Sequence, residues 1–227
     1  IMVSKAKAVM RMQQQHDGYR TGCTAWLWGN QGHIITNNHC ISSQELVDAT
    51  NFEFDVQTAG CNESCTVYTC PIGESLAGKD NVVFIQSDAA LDYAVMQITA
   101  DADYFVSVYG YLQIRSSAPI LGEEIYIPQH PRAGPKKIAA MDNDGGSKIA
   151  TIQITDHPLT SNNVTAHLIG YMADTDHGSS GSPVLSRKDD SVVGLHRMGG
   201  CDNLATRSDQ LATIFRDIVC DNDGYVD

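Results

Sequence analysis

Basic residues are scarce in this 227-residue chain: 15 Lys and Arg stand against 27 Asp and Glu, for a formal net charge of -12. That balance lacks the positive patches that hold nucleic acid or an anionic membrane, so neither is expected as a partner, whereas a cationic substrate would be attracted. Long apolar runs are missing too. No stretch approaches the roughly twenty residues that span a bilayer, and Ile1-Met2-Val3-Ser4-Lys5 lacks a signal-peptide core, which leads us to expect a mature, soluble chain. The seven cysteines contain no Cys-x-x-Cys spacing, which argues for disulfides over zinc and hence for an oxidising, secretory location. Two acidic turns, 142–146 and 221–227, lack the alternating ligands and closing Glu of a calcium loop and read as polar turns. The triplets at Asn62 and Asn163 fit the glycosylation sequon, a pattern common by chance. No internal repeat is visible, and a monomer is the default.

What the chain does have is a series of short β-rich runs separated by Gly, Asn, Asp and Pro. They are Cys23 to Trp28, His33 to Thr36, Phe52 to Val56, Val82 to Gln86, Tyr93 to Ile98, Glu124 to Pro128, Ile149 to Ile154, Thr165 to Tyr171 and Val192 to His196. The turn Gly29-Asn30-Gln31-Gly32 joins the first two. Near the end the period changes: Leu211, Ile214, Phe215, Ile218 and Val219 share one face of a helix over about 209–219, expected to pack on the second half of the chain.

Three motifs carry chemistry. Gly178-Ser179-Ser180-Gly181-Ser182-Pro183 offers a hydroxyl on a glycine-bracketed turn, Thr36-Asn37-Asn38-His39-Cys40 an imidazole after a strand, and Leu91-Asp92-Tyr93-Ala94-Val95 a carboxylate before one. A serine hydroxyl is a weak nucleophile near neutral pH. Acyl transfer therefore needs an imidazole to take its proton, a carboxylate to fix the imidazole tautomer, and backbone N–H groups aimed at the oxyanion. Ser180, His39 and Asp92 fill the side-chain roles, and the N–H groups of Gly178 and Ser180 are placed to form the oxyanion hole. Alone, each motif reads as a loop, a structural His or a strand start. Together, in the order His, Asp, Ser, they specify one arrangement.

In these motifs the chain resembles the chymotrypsin-fold serine proteases. The resemblance implies an all-β fold of two six-stranded Greek-key barrels with a C-terminal helix. The first barrel, 1–110, would carry His39 and Asp92, and the second, 111–227, would carry Ser180. It implies a polypeptide substrate and requires no metal or organic cofactor. It also implies a Cys23–Cys40 disulfide that fixes His39. Cys201 and Cys220 flank the last loop and helix and are candidates to pair; Cys61, Cys65 and Cys70 leave one sulfur over.

Further similarity lies in Gly194-Leu195-His196 with Gly199-Gly200-Cys201, His130-Pro131 with Lys136-Lys137-Ile138, and Arg207-Ser208-Asp209-Gln210, which look like bacterial lysyl endopeptidases. That subgroup implies Asp209 at the base of a pocket for lysine, and Asp174, six residues before Ser180, is a second carboxylate for a basic side chain. Glutamyl endopeptidases share Thr36-Asn37, Thr175 and His196, the last two implying contacts to a substrate carboxylate. Gly199 is the expected backbone contact to substrate. His16, His33, His157 and His167 have no motif around them and are read as structural or solvent-facing. Ser179 stands where animal digestive proteases have the Asp that receives a new N-terminus, so removal of a propeptide is the expected activation instead. Asn37 and Asn38 put extra polar groups beside His39 that need partners.

Overall fold

The computed structural model describes residues 1–16, 19–60, 63–142, 145–155, 166–200, 202–219 and 221–227. The short helix α1 (Met2–Lys5) leads into β1 (Val9–His16), β2 (Tyr19–Trp28) and β3 (His33–Thr36); α2 (Gln44–Asp48) precedes β4 (Thr50–Phe54), β5 (Glu74–Ala77), β6 (Val82–Asp88) and β7 (Tyr93–Ile98). These seven strands form one antiparallel sheet in the order β5-β4-β1-β2-β3-β7-β6. After α3 (Ala102–Tyr109) come β8 (Ile114–Arg115), β9 (Ile125–Gln129), β10 (Lys137–Ala139), the small pair β11 (Met141–Asp142) and β12 (Gly145–Gly146), β13 (Ile149–Thr155), β14 (Ala166–Tyr171), β15 (Pro183–Ser186), β16 (Val192–Met198) and β17 (Asn203–Arg207). Helix α4 (Ser208–Ile218) and β18 (Tyr225–Val226) close the chain. The second sheet runs β10-β9-β15-β16-β17-β14-β13, with β8 laid parallel to both β16 and β18.

The architecture is therefore two curled, mainly antiparallel sheets with a C-terminal helix, the chymotrypsin-like arrangement expected from the sequence. Among the described residues the first sheet holds seven strands and the second nine, where the resemblance implies six each; in the first, β5 and β1, the latter concealed by its polar residues, are the two absent from the sequence reading. In β1, Arg11 is buried and its Nε donates to Glu53 Oε2 on the neighbouring β4 at 2.6 Å, so an ion pair sits where alternation would call for an apolar residue.

Helix α4 does more than cover the second sheet. Besides its contacts with β8, β16 and β17, its fully buried Phe215 packs tilted against Trp28 of β2 at 5.0 Å and edge-to-face against Tyr93 of β7 at 5.1 Å between ring centres. Burying one such side chain contributes about 2 kcal/mol, here spent on joining the two sheets. The 221–224 turn, read in the sequence as polar, is a plug: Asn222 is fully buried and Trp28 Nε1 donates to Gly224 O at 2.9 Å. Of the expected disulfides, Cys23–Cys40 is formed and a second joins Cys65 to Cys70. Cys61, Cys201, Cys220 and both sequon asparagines lie outside the described residues, as does His157, and the side chains of His16 and His167 are also undescribed.

Candidate active site

The hairpin from β2 into β3 ends in the tight turn that carries His39, where Cys40 N and Ile41 N both donate to Asn37 O. The Cys23–Cys40 bridge ties that turn back to β2. Asp92 is the residue before β7, held at φ +54 and 5% exposed. It meets His39 twice: His39 Nδ1 lies 2.8 Å from Oδ2, and the His39 backbone N–H donates to Oδ1 at 3.0 Å. The imidazole side chain is 48% exposed, so its Nε2 edge is open to the cleft.

Asn37 and Asn38, flagged as polar groups needing partners, find them. Asn37 Nδ2 donates to Asp92 O at 2.8 Å and Asn38 Nδ2 to Ser87 Oγ at 2.8 Å, although Asn37 Oδ1 has none among the described residues. A cation that the motifs had not offered stands behind the acid: Arg197 Nε lies 3.6 Å from Asp92 Oδ2 and its NH1 donates to Ala90 O at 3.1 Å. Burial pulls the Arg197 guanidinium below its ordinary value, while Asp92 and Asp88 pull the other way.

Ser180 sits on a turn pressed against the first sheet. Gly181, at φ +88, has Thr24 O only 2.1 Å from where a Cβ would stand, and Gly178, at φ +91, has Ala133 N at 2.7 Å from such an atom. No side chain fits at either place. Thr24 holds this turn with both of its groups: its N–H donates to Ser180 O at 2.9 Å and its hydroxyl to Gly178 O at 2.9 Å, while His130 N donates into that hydroxyl at 3.0 Å. Arg132 N donates to His177 O, and the Arg132 side chain pairs with Asp176, which holds that carboxyl below its ordinary value. Within the turn, Asp176, His177, Ser179, Gly181 and Ser182 donate their N–H groups to protein acceptors, whereas those of Gly178 and Ser180 meet none among the described residues.

Both His39 and Ser180 line one cleft arm of about 690 Å³, with Gln13, Gln14, Tyr68 and Arg132. No hydrogen bond between the His39 ring and Ser180 Oγ is made among the described residues. A second arm of about 540 Å³ runs from Ser180 past Asp174, Thr175, His196, Gly199 and Asn203. Four of the five expected substrate residues thus meet beside Ser180. The fifth does not: Asp209 opens α4 outside this lining, and both its oxygens accept from Arg207, at 3.0 and 2.8 Å. It is a helix-start acid neutralised by the residue two before it, which corrects the expectation of a pocket base. Asp174 is exposed and its carboxylate has no partner among the described residues. Ser179 is buried, with its hydroxyl accepting from Asp176 N at 3.1 Å. A His39 ring nitrogen and the sulfurs of Cys23 and Cys40 lie within 4.8 Å of one another, but the sulfurs are bonded to each other and are not thiolate ligands for a metal.

The sequence matches the trypsin-like peptidase domain over residues 23–195. The chain belongs to the trypsin-like peptidases. It is 37% identical over 206 residues to secreted RxLR effector protein 73 of Plasmopara viticola, covering 91% of this peptidase and 48% of that protein, so the chain spans about half the length of this relative. In fold it is similar to the active form of the Rv3671c protease from M. tuberculosis, with a TM-score of 0.66 at 12% identity over 96% of this chain and 83% of that one. Deg5 gives a TM-score of 0.64 at 15% identity over 99% and 94% of the respective chains.

Proposed function

We propose that this peptidase is a serine endopeptidase in which Ser180 attacks the peptide carbonyl, His39 takes the proton at Nε2, and Asp92 holds the imidazole through Nδ1. The N–H groups of Gly178 and Ser180 receive the oxyanion. The imidazolium then protonates the departing amine, and water, deprotonated by the same ring, releases the acyl group from Ser180. No metal or cofactor takes part. The observation that carries this reading is the convergence of an Asp92-bound His39 and Ser180 on one cleft, beside two N–H groups that no described acceptor occupies. Closure of the Nε2 to Oγ hydrogen bond belongs to the substrate complex, since such contacts are often long in free enzymes.

The P1 side chain enters the arm lined by Asp174, Thr175 and His196, while Gly199 offers its backbone to the substrate strand. A lysine preference carried by Asp209 loses its support with that carboxylate engaged by Arg207, and exposed Asp174 is left as the charge for a basic residue. Thr175 and His196, at the wall of the arm, are better placed to select. The same reading divides the chain into barrels 1–110 and 111–227 with the site at their seam, and describes a secreted monomer activated by propeptide removal; the two disulfides and the secreted relative are in keeping with secretion. A second reading, a protease-fold protein that binds without turnover, draws on the unformed His39 to Ser180 hydrogen bond. Digestion of a peptide library with mass-spectrometric mapping of the cuts decides between them: cuts that disappear in Ser180→Ala support hydrolysis, and a folded wild-type chain that cuts nothing supports binding alone.

A further inference from the structure

His196 is 2% exposed and Tyr171 is fully buried, and the Tyr171 hydroxyl lies 2.6 Å from His196 Nδ1. Burial raises the Tyr171 hydroxyl well above its ordinary value, so it keeps its proton, and burial with the nearby His39 lowers His196 to about 4, so the ring is neutral. The hydroxyl has no other acceptor among the described residues. Were Nδ1 to carry the ring proton and donate to Tyr171, the phenol hydrogen would be buried unpaired, at a cost of about 1–3 kcal/mol. The phenol therefore donates to Nδ1, and the ring proton sits on Nε2. That nitrogen meets no protein partner among the described residues, yet it is not one of the sealed polar atoms without partners, and His196 lines the arm beside Ser180. On this assignment Nε2 is the donor that His196 has left for a substrate in the arm.

Thr175 on the same arm is fixed in the opposite sense. Asn203 Nδ2 donates to Ala173 O at 2.6 Å, and Asn203 Oδ1 accepts from Gly200 N at 3.2 Å and from the Thr175 hydroxyl at 2.9 Å. With its hydrogen spent, Thr175 Oγ1 has only lone pairs to offer. The wall thus combines one donor, one acceptor and the unpaired carboxylate of Asp174. A carboxylate side chain would find a single donor and two acceptors that repel it; an ammonium would pair with Asp174 and Thr175 but leave the N–H of His196 without an acceptor. A primary carboxamide has a carbonyl oxygen for His196 and an N–H for Thr175.

Resting on the endopeptidase reading, we propose that this arm takes glutamine at P1, with Tyr171 as the positioning residue that fixes the His196 tautomer and Asn203 as the one that fixes the Thr175 hydroxyl. Peptides identical but for Gln, Glu or Lys at P1 test it in two settings: hydrolysis by the wild-type chain, and binding to Ser180→Ala, which does not depend on turnover. Gln is expected to exceed Glu and Lys at least tenfold in both. In Tyr171→Phe that preference should collapse toward unity, and ¹⁵N spectra of labelled histidine should show His196 protonated at Nε2 in the wild type and mixed in the variant. Equal or better handling of Lys or Glu, or a His196 protonated at Nδ1, overturns the proposal. A chain that binds the Gln peptide selectively but cuts nothing refutes the endopeptidase reading and leaves the pocket assignment standing.

Discussion

His39 stands on a wall made by one sheet: a disulfide to β2, a strand end and a buried acid from the neighbouring β7 fix it, and none of these comes from the second half of the chain. Ser180 sits on a turn that leans on outside partners, chiefly Thr24 of β2 and the 130–132 segment, and it has no covalent tie. The difference teaches where each wall is vulnerable. On the proposed mechanism, damage to the first removes a chemical role, and damage to the second misplaces the nucleophile and its oxyanion donors.

The largest effect is expected from the first wall. Asp92→Asn keeps the shape but favours the wrong imidazole tautomer, and kcat should fall about 10⁴-fold with KM nearly unchanged; a fall of less than tenfold would remove Asp92 from the mechanism. Cys23→Ala with Cys40→Ala opens a closed loop with a sequence separation of 17 and should cost about 3 kcal/mol of stability, read as a lowered denaturant midpoint. On the second wall, Thr24→Val strips the hydroxyl that links His130 N to Gly178 O. We expect kcat to drop about tenfold and stability to fall by about 1–3 kcal/mol, because the buried His130 N–H loses its acceptor while the N–H of residue 24 still holds Ser180 O.

The remaining effect is graded by pH and is absent at neutrality. Burial lowers His33 to about 4, His130 to about 3 and His196 to about 4, all from 6.5. The unfolded chain binds these protons first as pH falls, so the stability they contribute is complete above about pH 6.5 and is lost as pH drops toward 4. Each contributes a slope of about 1.4 kcal/mol per pH unit. Two of the three, His130 and His196, belong to the Ser180 wall. Replacing His130 by Gln should flatten the unfolding profile between pH 6 and 4, and an unchanged slope would count against its being buried neutral.

The parts legible in the sequence were those where local pattern and global fold agree. The run Tyr93–Ile98 and the helix face through Leu211 and Phe215 could be read because burial and periodicity coincide there. Strand β1 could not, since Arg11 is buried by pairing with Glu53, a partner 42 residues away. Strands β15 and β17 were hidden because a proline starts one and both are short, and α3 because it is only two turns long. The three motif residues stand out as candidates for chemistry without any contact information, and the structure brings His39 and Ser180 to one cleft. The pocket was not legible: Asp209 is cancelled by Arg207, and Tyr171 reads as an ordinary core aromatic until its hydroxyl is seen against His196.

Labelling with a fluorophosphonate tests the central claim most directly, because it asks only whether His39 activates Ser180 in the folded chain. We expect a single adduct, mapped by mass spectrometry to Ser180, that is lost in His39→Gln. A folded wild-type chain that stays unlabelled, or labels equally well without the imidazole, would contradict it.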